Sequence, residues 1–282
     1  MNLGGLRFAK KDQRDLTPES PVVEAIFREK GFKGPLTPAK AFDLAEWFSP
    51  LEDQDRLGAC SAHAVVALFE YYDRRAFNNQ YTNLSRLFLY KVTRNLMGLS
   101  GDTGADMRSA MRATHRIGIC PEKYYEYDIL KFDDEPKPFH YALARNQRAT
   151  HYCRLDKDQN PDATLERVKA FIRAGLPSCF GFLCFESLDS VGTDGNVPYP
   201  SLSEQIVGGH AIVAAGYDDT RVIVHPVSGA QTVGAIKFPN SWGLGWGEAG
   251  WGWLPYDYVL RGRAFDFWVL LRTDATKFLD WE

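Results

Sequence analysis

The chain has 282 residues, of which 45% are hydrophobic and 24% charged, with a formal net charge of −3 and a pI of about 6.1. These values describe an ordinary globular chain, long enough for one large domain or two small ones. No basic stripe interleaved with aromatics suits nucleic acid, and no run of 18 apolar residues suits a membrane span, so neither is expected as a partner.

Residues 1–20 hold Lys10, Lys11 and Arg14 among scattered polar groups and lack the apolar run of a signal peptide, so the expectation is a cytoplasmic chain or one exported by a non-classical route. A short helix is predicted from Ser20 to Lys30, with Ser20 as cap, Pro21 in the first turn and Gly31 as the stop. After Gly58, the spacing of Ala62, Val65, Val66, Phe69 and Tyr72 predicts a helix that starts at Cys60 and is buried on most sides. Further helices are predicted over 84–97, 105–117 and 163–174, the last ended by Gly175 and Pro177. Short apolar runs at 178–185, 210–217, 221–225, 233–239, 250–254 and 265–271 alternate with Gly, Pro and Asp turns and read as antiparallel strands. A helical first half and a stranded second half give the class α+β, with the site expected between the halves.

Five cysteines, at 60, 120, 153, 179 and 184, form no CxxC pair and no zinc spacing, so no metal or cofactor is expected and the thiols read as reduced. Four sit in apolar surroundings and read as structural. Cys60 differs, because the free N–H groups and dipole at a helix start favour a thiolate. A second aid to ionisation is an imidazolium. His63 lies one turn along the same helix and is poorly aimed, so it reads as a core histidine bonded to a backbone carbonyl. His210 follows Gly208 and Gly209 at the head of an apolar strand, with open space beside the ring. The remaining four histidines have no comparable setting.

Three motifs occur in order: Gln54-Asp-Arg-Leu-Gly-Ala-Cys60, Gly-Gly-His210-Ala-Ile-Val-Ala-Ala-Gly-Tyr and Pro-Asn240-Ser-Trp-Gly-Leu-Gly-Trp-Gly. Together with Gly101-Asp-Thr-Gly104 and the Gly118–Tyr127 stretch, they resemble the papain-like cysteine peptidases from about Pro38 to Leu271. The resemblance implies a two-lobed fold, a helical lobe at about 55–150 and an antiparallel, β-barrel-like lobe at about 151–282, with the active site in the cleft. It divides the chain into an N-terminal extension, 1–36, and a catalytic domain, 37–282. It implies Cys60 as nucleophile, His210 as its base, Asn240 as the group that holds the imidazole, and Gln54 with the Cys60 N–H as oxyanion donors. Trp242 would cover the His–Asn bond and Trp246 the leaving-group side. Thr103, Gly104 and Gly209 would meet an extended polypeptide substrate, and the protein would be a monomer.

The sequence departs from the family at two places beside the nucleophile: Leu57 replaces a disulfide-forming cysteine and Ser61 an aromatic. Asn240 follows His210 by 30 residues, and Asp218, Asp219, Pro226 and Gly229 suggest an extra hairpin in that interval. Asp53 and Asp55 read as solvated loop charges. The interval from Glu186 to Gly208 is predicted to form one lip of the cleft. The leading expectation is an endopeptidase whose residues 1–36 act as a candidate inhibitory pro-segment, with the stretch Arg7–Leu16 over the site. An amidase or acyltransferase on the same triad, or a silent binding protein of this fold, stays open at the level of sequence.

Overall fold

The structure, a computed structural model, describes residues 5–9, 12–29 and 39–273. The extension's expected boundary at 36/37, the helix stop at Gly31 and Pro38 lie outside the described residues. Helix α1 (Pro21–Glu29) stands where the Ser20–Pro21 signal places it, and it buries Val23 and Ile26 in the core. Strand β1 (Ala41–Asp43) follows, and then α2 (Cys60–Ala76), α3 (Arg86–Met97) and α4 (Met107–Arg116). The starts of α3 and α4 are set by side chains that accept otherwise unpaired N–H groups. Ser85 takes Phe88 N, and the Asp106 carboxylate takes Ser109 N. Gly98, at φ 70°, closes α3 in the left-handed conformation that glycine adopts without a Cβ clash.

The second half opens with α5 (Pro138–Ala144), β2 (Ala149–Arg154) and α6 (Pro161–Arg173), and continues with β3 (Ser178–Phe185) and β4 (Ile206–Ala214). A hairpin of β5 (Gly216–Val224) and β6 (Gln231–Pro239) fills the interval before Asn240, as the turn residues suggest. The chain ends its described part with β7 (Trp251–Pro255), α7 (Tyr256–Leu260) and β8 (Ala264–Thr273). Among the described residues the strands form two four-stranded antiparallel sheets, ordered β1-β5-β6-β7 and β2-β8-β3-β4. The barrel-like description is therefore corrected to two open sheets, since neither closes on itself. Ala215, between β4 and β5, carries the chain from one sheet to the other.

Helix α2 packs against β4, so its first turn meets the strand that bears His210. A buried ion pair fixes α2 to the start of α3. Arg86 Nη2 lies 2.9 Å from Glu70 Oε2, and Glu70 also accepts Ser49 Oγ at 2.5 Å and Leu84 N at 3.0 Å. Both side chains are buried, so removing one partner strands the other charge. Arg86→Met is expected to cost about 3–5 kcal/mol and to lower the melting temperature on the order of 10 °C. Thermal denaturation followed by circular dichroism checks this, and an unshifted midpoint would contradict it.

Candidate active site

Cys60 is the first residue of α2 and is fully buried. Burial pushes its thiol up to about 12, against the pull of three backbone N–H groups, those of Ala211, Ser61 and Cys60 itself. Two of these belong to the free first turn of the helix, and the third belongs to the residue after His210. The fold thus brings donors to this sulfur from both halves of the chain.

His210, also fully buried, places Nε2 2.8 Å from Asn240 Oδ1. Burial holds its imidazole down at about 4, and the Asn240 contact works in the opposite direction. With Nε2–H donated to Asn240, Nδ1 is the nitrogen left for chemistry, and it has no hydrogen-bond partner among the described residues. Asn240 Oδ1 accepts a second bond from Ser241 N at 2.9 Å. Trp242 stacks on the imidazole with centroids 4.4 Å apart, and Trp246 stands edge-on to Trp242 at 5.4 Å. Phe182 covers another side of the ring at 5.9 Å. Aromatic rings thus flank the imidazole on two sides.

Gln54 is buried and tied into the same group. Its Oε1 accepts Ser241 Oγ at 2.6 Å, its backbone N–H donates to Ser241 O at 2.8 Å, and its Nε2 donates to Leu57 O at 2.8 Å. An amide nitrogen carries two hydrogens, and Leu57 takes one of them. Tyr127 Oη donates to Gln54 O at 3.0 Å, which uses the last residue of the Gly118–Tyr127 stretch.

Residues 5–7 lie across the site. Ala105 N donates to Gly5 O at 2.9 Å and Arg7 N to Ala105 O at 3.2 Å, as a parallel bridge. Backbone meets backbone only because Gly5 and Gly58 lack side chains; a Cβ on Gly5 would stand 2.8 Å from Gly58 Cα. The Leu6 side chain rests on Gly181 and Gly209, and a Cβ at Gly181 would stand 2.5 Å from it. Arg7 Nε donates to Thr103 O at 2.7 Å. The Gly104 N–H donates to Tyr90 Oη at 3.0 Å, and Gly104 lies against the segment itself, where a Cβ would collide with Gly5 O. The neighbouring Ala105 makes the backbone pairs instead, and neither it nor Gly181 stands out in the sequence. The expected covering stretch is also shifted. Phe8 stacks on Phe265 at 4.7 Å, while Asp12, Asp15 and Leu16 run over α4 and β2 through Arg108 and Arg154.

On the other side of Trp242 a cavity of 410 Å³ is lined by Asp53, Asp55, Arg56, Trp242, Gly245 and Trp246. The interval after Glu186 begins with a short 3₁₀ turn and then packs on β7 and α7, through an Asn196–Trp253 bridge and a Tyr258 Oη bond to Pro198 O. Its last residues enter β4 and lead to Gly209. His63 is buried but not bonded as expected; its Nε2 has no partner among the described residues. No group of three or more His, Cys, Asp or Glu among the described residues is placed to hold a metal ion, and no described helix is long and apolar enough to cross a membrane.

The family model described as papain family cysteine protease matches residues 39–259. A curated relative, an uncharacterized peptidase C1-like protein of Acanthamoeba polyphaga mimivirus, is 32% identical over 95% of this chain and 86% of its own length. Among solved structures, xylellain, a cysteine protease from Xylella fastidiosa, superposes with a TM-score of 0.74 at 27% identity, covering 95% of this chain and 96% of the other. The digestive procathepsin L2 proteinase of Tenebrio molitor larval midgut gives 0.67 at 19% identity, over 95% and 78%. Bromelain from Ananas comosus, solved with the E64 inhibitor, gives 0.59 at 19% identity, over 83% and 100%. These last two likenesses are of fold.

Proposed function

We propose that this chain, which belongs to the papain family of cysteine proteases, is an endopeptidase that cleaves extended polypeptide through a thioester on Cys60. One observation carries the reading: an imidazole bonded to an asparagine and roofed by tryptophan, on the strand whose next N–H points at a helix-start cysteine.

In the active form a proton passes from Cys60 to His210 Nδ1, and the thiolate attacks the scissile carbonyl. The developing oxyanion takes the second Gln54 Nε2 hydrogen and the Cys60 N–H. His210 Nδ1–H then protonates the leaving amine, which departs past Trp242 and Trp246. A water gives its proton to His210, attacks the thioester and releases the acid. Asn240 holds the ring in plane throughout and supports its positive charge. The ledge of Gly181 and Gly209 on which Leu6 rests offers an apolar subsite.

The extension restrains the enzyme in this reading. Gly5–Arg7 occupies the backbone groups of Ala105 and the apolar ledge that a substrate needs, while the sulfur and imidazole beneath are fully buried.

A library of peptides blocked at both ends tests the endopeptidase reading. Internal cleavage by the wild type is expected, and turnover confined to non-peptide amides would overturn it. Gln54→Ala should lower kcat about 10²–10³-fold, the loss of one oxyanion donor, with KM changed by no more than a few-fold. Steady-state kinetics on one good peptide decides this; a loss confined to KM would assign Gln54 to ground-state binding.

A further inference from the structure

Behind the site, between the first turns of α2 and the end of β6, a cavity of about 30 Å³ is walled by His63, Asn240, Ser49, Glu52, Arg86 and Ser241, among others. Two of these side chains are unusual. His63 is 5% exposed and Asn240 4%, and each has a buried polar atom, His63 Nε2 and Asn240 Nδ2, without a hydrogen-bond partner among the described residues. Buried polar atoms are rarely left unpaired, because the lost bond to water is not repaid. The volume suits one water or at most two, and the walls provide the several polar partners that a buried water requires.

The two atoms are complementary. Asn240 Nδ2 can only donate. His63 is held well below the ordinary imidazole range by burial, with Arg86 and then His210 adding to the effect, so its ring is neutral and Nε2 can accept. Glu52 and Arg86 are the charged groups on the cavity wall; Tyr127 stands edge-on to His63 at 5.2 Å.

We propose that His63 is a positioning residue of this active site, acting through a water that accepts from Asn240 Nδ2 and donates to His63 Nε2. The inference rests on the peptidase reading above. Its consequence lies in the direction of the Asn240 amide. An amide can turn over and exchange its oxygen and nitrogen. With Ser241 N–H on Oδ1 and Nδ2 engaged on the His63 side, Oδ1 faces His210 Nε2–H, the orientation that stabilises an imidazolium. Turned over, Asn240 would present N–H groups to His210 and disfavour its protonated form. His63 thus adds to the hold of Ser241 N–H on the amide, and so supports the protonated state of His210 without touching the reacting atoms.

The test compares His63→Leu, which removes the acceptor, with His63→Gln, whose carbonyl restores one, in the full-length chain, both as it stands and with Leu6→Asp to lift Gly5–Arg7 from the site. Peptide hydrolysis and iodoacetamide modification of Cys60 are each followed from pH 4 to 10, with thermal melting measured alongside. His63→Leu is expected to lose about tenfold in kcat/KM, equivalent to one lost hydrogen bond. Its alkaline limb should move to lower pH, because a destabilised imidazolium gives up its proton sooner. His63→Gln should regain most of the rate and the limb. A reactive wild type matched by His63→Leu in rate and limb overturns the proposal alone. Equal losses in both variants that follow the melting temperature also overturn it, as a packing effect. Absence of both peptide cleavage and selective modification of Cys60, in the wild type and equally in the chain opened by Leu6→Asp, removes the peptidase reading and this proposal with it.

Discussion

Cys60→Ala is expected to lower peptide hydrolysis by about 10⁵-fold or more, while the other four Cys→Ala variants keep activity within a few-fold of wild type. Burial does not separate these residues. All five cysteines are free and buried, and burial raises the thiol pKa at each of them. What separates Cys60 is the set of N–H groups from Cys60, Ser61 and Ala211 that face its sulfur, with His210 on the adjoining residue. Cys153 has nothing comparable, and Cys179 donates its S–H to Trp268 O at 3.6 Å as a buried structural thiol does. Active-site titration with a thiol-directed inhibitor gives the number of competent sites, and steady-state rates give the loss. Retention of more than a hundredth of the activity by Cys60→Ala would remove this cysteine as nucleophile. Loss of comparable size in any of the other four would move the site.

Much of this site can be read in the sequence because its chemistry is written in short segments with fixed spacing. Gln54 and Cys60 share one loop and helix start, and Asn240, Ser241 and Trp242 are consecutive, so local geometry sets their relations once His210 is brought in. The helix of Cys60 was legible from its apolar stripe, and α3 and α4 from periodicity to within two residues at either end. Strands β1 and β2 were not. β1 is three residues long, and β2 spells Ala-Thr-His-Tyr-Cys-Arg, in which neither apolar alternation nor an apolar run appears. Both exist because a partner strand supplies their hydrogen bonds, β5 for one and β8 for the other. The same reason hides Ala105. Whether Gly104 or its neighbour offers backbone groups to a bound segment depends on the Tyr90 hydroxyl, fourteen residues earlier, having already taken the Gly104 N–H. His63 reads from its place on the helix as a satisfied core residue, yet the fold leaves its Nε2 without a partner among the described residues. Long-range pairing and the filling of a cavity leave no local signal.

Removing residues 1–11 should raise kcat/KM on a small peptide by tenfold or more. The size follows from what holds Gly5–Arg7 in place: a half-buried leucine, two backbone hydrogen bonds to Ala105 and an exposed one from Arg7 Nε to Thr103 O, together about 2–4 kcal/mol against the open form. The cut must stop short of α1. Val23 and Ile26 belong to the core, so deleting all of 1–36 would confuse release of the site with loss of packing. The closed site also predicts how pH acts. With burial lifting Cys60 to about 12 and lowering His210 to about 4, the intact chain holds a neutral thiol beside a neutral imidazole between those limits. Opening admits water and lets the proton move from sulfur to Nδ1. That transfer changes no net proton count, so through this pair neither acid nor base favours the open form over the middle of the range. Iodoacetamide should therefore modify Cys60 slowly in the intact chain, with no acceleration between pH 5 and 8. In the truncated chain modification should be fast and nearly level down to about pH 5, where a thiolate is kept by its imidazolium. Leu6→Asp, which leaves the chain length unchanged, should reproduce the truncation. If both variants modify and hydrolyse at the intact rate, Gly5–Arg7 lies on the site without restraining it.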